Sequence, residues 1–204
     1  MTINLDNYSF DEWVDFVFNH SVAEEGEKAW YWQDEWNFEV DANRTLENAI
    51  RLFNRPATLV AKYTSEQIDQ GFWFLLHGRH ALNQCIWDDD VNVELRIKCV
   101  LAMPNVFRAV FAKQAIQDAC YMWWDLLITF TENLNAQIAN AMLHALSEIL
   151  TLDSPECQRA ALHGLGHLAH PEKSPVIDKY LETHPHLDAD LRKYALAAIV
   201  GEVQ

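Results

Sequence analysis

Three histidines near the C-terminus have the spacing most suggestive of chemistry: His163, His167 and His170, at i, i+4 and i+7. On a helix this brings all three near one face, and an i, i+4 imidazole pair can chelate zinc or another divalent metal, with His170 able to supply a third ligand. No carboxylate stands beside them in sequence to complete such a centre. His170 lies by the C-terminal turn, where the helix dipole favours a cation. The residues alone therefore lead us to expect surface histidines, with no metal, no cofactor and no catalytic group.

A second constellation lies in Ala29–Val40, dense in rings and acids: Trp30, Trp32, Asp34, Glu35, Trp36 and Glu39. It has two uses open to it. One is to cover the end of a helical array; the other is to present tryptophans and carboxylates to the Arg or Lys side chains of a partner through cation–π contact and charge pairing. Asp88, Asp89 and Asp90 add three more carboxylates. They lack the spacing of an EF-hand loop, which leaves a solvated turn capping the helix of Leu95 and Cys99, and a further acidic patch for a partner. Cys157, in the first turn of its helix, has no base specified for it, and no G-x-S-x-G, phosphate-loop or dinucleotide fingerprint occurs.

Charge narrows the partners. The 204-residue chain carries a net −15, and its first 50 residues hold twelve carboxylates against Lys28 and Arg44, ten of those fifteen charges. Residues 51–104 balance, and the remainder is again acidic. Such a surface repels phosphate backbones and anionic lipids and attracts basic proteins, so neither nucleic acid nor membrane is expected as a partner. Half the residues are hydrophobic and eight are tryptophan, which excludes disorder. No run reaches about 18 apolar residues and no secretion signal is present, so a cytoplasmic location is expected. The widely spaced Cys85, Cys99, Cys120 and Cys157 are expected as buried free thiols.

The elements that must position these groups read as helices. Ser9-Phe10-Asp11-Glu12 is a capping box opening a helix to about Asn19. The alternation of Trp36, Phe38 and Val40 with polar residues predicts an extended segment. Helices follow from Asn43 to before Pro56, after Thr64 with a stop at Gly78, over His80–Trp87, and from Val91 to a break at Pro104. Further helices are expected around Phe107–Phe111, over Ile116–Phe130 and over Ala136–Leu150. Ser154-Pro155 and Ser174-Pro175 each read as an N-cap followed by proline at the first helical position.

Placing Cys157 over Leu191 also sets Ala161 over Ala195 and Gly164 over Ala198, so small residues recur on the same faces. The pattern Leu191, Arg192, Ala195, Ala198, its copy Cys157, Gln158, Ala161, Gly164, Gly166, and a weaker copy Leu95, Arg96, Cys99, Ala102 resemble the HEAT repeat family, in particular its phycobilisome-lyase type. The resemblance covers the C-terminal half. It implies an all-α solenoid of helical hairpins in one domain over 1–204: an acidic aromatic N-terminal cap over 1–42, helical pairs over 43–150, and the clearest repeats over 151–204. HEAT proteins include deoxyhypusine hydroxylases, which hold iron through His-Glu pairs, but this chain has no His-Glu dipeptide. They also include alkylpurine glycosylases, which need a basic surface it lacks. The expected function is a non-enzymatic module binding a basic protein, in concrete form an immunity-type inhibitor. The alternative is a metal-dependent enzyme using the histidine cluster on a HEAT scaffold.

Overall fold

The computed structural model describes residues 2–23, 27–32, 37–77, 81–114, 116, 118–128 and 135–203. Among them, eleven α-helices account for most of the chain, and two short strands make its sheet. Strand β1 (Thr2–Asn4) runs parallel to β2 (Asn37–Glu39), with Ile3 opposite Phe38. The extended segment expected around Phe38 is thus present, paired with a strand that local periodicity does not reveal. Between them lies α1 (Phe10–Phe18), opened by the expected box: Ser9 N–H donates to Glu12 Oε2 at 2.9 Å, and Ser9 Oγ accepts from Glu12 N–H.

Next come α2 (Ala42–Phe53), α3 (Ala57–Lys62) and α4 (Ser65–Leu76), then α5 (Leu82–Trp87), α6 (Val93–Val106) and α7 (Asp118–Ile128). The chain closes with α8 (Ala136–Ile149), α9 (Pro155–His167), α10 (Lys173–Thr183) and α11 (Ala189–Val200). Side chains that satisfy free N–H groups start most of them: Asp41 for α2, Thr64 with Gln67 for α4, Asn92 for α6, Asn135 for α8, Ser154 for α9 and Asp188 for α11. Gly201, at φ 77°, closes α11 in the left-handed conformation.

Two expectations are corrected. Pro104 does not end a helix; it sits inside α6, which runs on into a π-helical segment, Phe107–Phe111. The lost N–H bond is offset by a continuous buried face of Val100, Met103, Val106, Phe107, Val110 and Phe111, and the wide π turn absorbs the change of phase. Ser174-Pro175 is not a cap either. Helix α10 begins at Lys173 without a side-chain cap, which puts Pro175 at the third helical position, where no N–H bond is needed.

Eight of the eleven described helices pack in two rows, with α3, α5 and α10 outside them. In one, α2 lies on α6 and α6 on α8; in the other, α1 lies on α4, α4 on α7, α7 on α9 and α9 on α11. Both α8 and α10 pack on α9. Trp123 fills the centre: fully buried, it has Phe53, Phe72, Phe107 and Phe111 at centroid distances of 5.2–5.7 Å. The buried apolar residues form one cluster reaching from Ile3 to Val203. No described helix is long and apolar enough to cross a membrane.

Candidate functional site: an acidic furrow and a histidine–aspartate cluster

The tryptophans of the N-terminal patch have separate environments. Trp30 is buried, its ring flat on His20 at 3.7 Å and tilted against Phe74 at 4.8 Å, so it belongs to the core. Trp32 is 48% exposed and meets His77 edge-on at 4.8 Å. Glu39, at the end of β2, is exposed; Asp34, Glu35 and Trp36 lie outside the described residues.

The contact on Trp30 has a pH consequence. Burial pushes His20 below its usual range, against the opposing pull of the Phe16 carbonyl, 2.6 Å from Nε2. Below about pH 6.5 the unfolded chain therefore takes up a proton that the folded ring resists, and stability falls as pH falls. The urea midpoint of the wild type should drop more than that of His20→Gln between about pH 7.5 and about pH 5.5; equal drops would remove His20 from the account.

Asp88, Asp89 and Asp90 are exposed but do not cap α6, since Asn92 holds that place. Asp88 Oδ1 closes a turn by accepting from Asp90 N–H at 2.9 Å. Asp89 accepts at 3.1 Å from the Arg96 guanidinium, which is buried and also donates to the Ile86 carbonyl.

Carboxylates that were not singled out by spacing come together elsewhere. A groove of about 620 Å³ is walled by Tyr31, Trp32 and Trp73 with Glu66, Asp69 and Asp118. Asp118 also borders a cleft of about 950 Å³, with Tyr121, Asp153, Glu156, Arg159 and Asp188. The two share Asp118 as a wall residue, and together they make up the acidic furrow referred to below. Its origin is local: Glu66, Asp118 and Glu156 lie in the first turns of α4, α7 and α9, and Asp188 caps α11. Acids are favoured there by the helix dipole. Stacked helices that begin along one edge gather them. Asp69 is partly engaged, accepting from Ala119 N–H at 2.9 Å, and burial raises its carboxyl above the usual range. The signal available in sequence was the recurrence of an acid at the starts of α4, α7, α9 and α11.

Further along α9, His163 and His167 stand side by side with Asp125 of α7 opposite. His163 Nε2 and His167 Nε2 are 3.2 Å apart, and Asp125 Oδ1 is 3.3 Å from His167 Nε2 and 3.9 Å from His163 Nε2. His163 is buried, contrary to its expected surface position, because α11 covers it: its Nδ1 is 2.6 Å from the Tyr194 hydroxyl. That hydroxyl is in turn 2.9 Å from the Tyr121 hydroxyl, and the Tyr121 ring lies on His163 at 4.5 Å. Burial, helped by His167, pushes His163 down to about 4, Asp125 pulling the other way. His170 is not the third member. It turns to Asn140 Oδ1 at 2.8 Å and takes the Glu172 N–H on its Nδ1. The carboxylate absent from the neighbouring sequence is supplied by Asp125, from the helix stacked against α9.

All four cysteines are buried free thiols. The Cys120 thiol hydrogen-bonds to Cys157 across α7 and α9, which with Ser154 holds Cys157 below its usual range despite burial; Cys120 is pushed up by Cys157 and by burial.

Compared with protein-family models, curated proteins and solved structures, the chain matches none. Its class follows from its own geometry: a mostly helical protein with an acidic furrow and a two-histidine, one-carboxylate cluster.

Proposed function

We propose that this protein is a non-enzymatic protein-binding module, an α-solenoid of HEAT-like hairpins whose acidic furrow takes a lysine- and arginine-rich segment of a partner. The observation carrying this is that an aromatic groove and a cleft rimmed by carboxylates share Asp118 as a wall residue. The two helix rows support the solenoid reading. Rings of Tyr31, Trp32 and Trp73 offer cation–π faces, and Asp153, Glu156 and Asp188 offer charge partners to an extended basic chain. A net −15 adds long-range steering, which suits an immunity-type inhibitor that must capture a basic effector quickly.

A labelled Lys/Arg-rich peptide should associate at least about tenfold more slowly at about 500 mM than at about 50 mM salt. The double variant Asp118→Asn, Glu156→Gln should bind it more weakly, and a Glu-rich peptide of the same length should not bind. Equal rates at both salt concentrations, or an unaffected double variant, would refute the furrow. Affinity capture from the native host would then identify the partner. A second reading, a metal-dependent enzyme on the same scaffold, draws on Asp125, His163 and His167.

A further inference from the structure

We propose that Asp125, His163 and His167 form a binding site for one divalent transition-metal ion of the zinc class. The inference concerns the ligand of this cluster and stands or falls independently of partner binding at the furrow.

Geometry comes first. A tetrahedral ion with bonds of about 2.0–2.2 Å holds its ligand atoms about 3.3–3.6 Å apart. The three separations here, 3.2, 3.3 and 3.9 Å, bracket that edge, so an ion fits with only small side-chain shifts. Three lone-pair-bearing atoms that converge this closely need a proton or a cation between them. Two imidazoles and one carboxylate are a borderline donor set, which prefers zinc, cobalt or nickel to calcium or magnesium.

The surroundings meet two further requirements of such a site. A ligating histidine is normally oriented through its other ring nitrogen. His163 has this orientation, since Nδ1 meets Tyr194 Oη at 2.6 Å and Tyr194 is itself held by Tyr121. In the tautomer whose Nδ1–H donates to Tyr194, the Nε2 lone pair is directed at the cluster. Access is the second requirement. His163 is 4% exposed, but Asp125 and His167 are 23% and 32% exposed, so an ion enters from their side and keeps a position for water there. Tyr194 is a positioning residue, acting through His163.

Cobalt(II) titration of the purified protein, followed by its visible absorption, and zinc competition against a chromogenic chelator test the site. The wild type should bind one equivalent of either metal. His167→Ala and Asp125→Asn, both at solvent-accessible positions, should weaken binding about a hundredfold and abolish the tetrahedral cobalt band, with circular dichroism unchanged. Tyr194→Phe should weaken binding about tenfold with stoichiometry kept, as loss of an orienting partner does. His186→Ala, outside the cluster, should bind as the wild type does. Binding that survives His167→Ala and Asp125→Asn unchanged, or weak multi-equivalent binding lowered equally by His186→Ala, would overturn the assignment.

Discussion

Trp123→Ala is expected to lower folding stability by about 3–5 kcal/mol, the range for emptying a large aromatic site in a packed core. Its ring is fully buried and touches aromatics from α2, α4 and the π-helical segment, and its Nε1–H donates to Met103 Sδ at 3.4 Å. Truncation removes transfer free energy and leaves a void that rings on three sides cannot close by small rotations. Against a typical total of about 5–15 kcal/mol this is a large fraction, so the urea midpoint should fall steeply. Trp32→Ala is the control. That ring is 48% exposed, and its loss should change stability by no more than about 0.5 kcal/mol. A Trp123→Ala variant as stable as Trp32→Ala would mean that the core is not centred where α2, α4 and α7 meet.

Gly164→Ala is the second large effect, and its sign runs against helix propensity. Alanine at an interior helical position normally gains about 1 kcal/mol over glycine. Here a Cβ would stand 2.6 Å from Trp124 Cβ and 2.7 Å from Leu146 Cδ2, so α7 must move away from α9 and the Leu146 side chain on α8 must turn aside. Overpacking of this kind costs about 1–3 kcal/mol, and with neighbours on two helices the upper part of that range is expected as the net loss. Gly201→Ala separates crowding from conformation. At Gly201 nothing comes nearer than 3.5 Å, and only the left-handed φ of 77° resists a side chain, a cost of about 1 kcal/mol. Denaturant midpoints should therefore rank wild type, Gly201→Ala, Gly164→Ala in falling order. A stabilised Gly164→Ala would show that α7, α8 and α9 do not meet so closely.

What was legible in the sequence was whatever depends on neighbours in the chain. The box at Ser9, the helix start at Thr64 and the cap at Ser154-Pro155 rest on short-range hydrogen bonds between side chains and helix starts, and all three occur as read. The small-residue positions Ala161 and Gly164 are buried and Gly164 is a close approach, as the repeat spacing implies. Pro104 misled because its local cost is outweighed by burial on both sides of it, which no window around Pro104 contains. Trp30 looked available because the period that would place it inward belongs to Phe16 and Phe74, on α1 and α4. Asp125 was invisible as a companion of His163 for the same reason: α7 against α9 is a tertiary fact. The furrow sits between these cases, since its acids are local helix signals and only their alignment is tertiary.

The two-row packing of the helices bears on how the chain assembles. From α6 onward every helix but α10, which rests chiefly on α11, finds its main partner two helices away, so no long loop has to be closed before a contact repays its entropic cost. A nascent chain can thus fold progressively behind the ribosome, new helices docking on those already formed, whereas β1 must wait for β2 and gains its order only after α1 has been made.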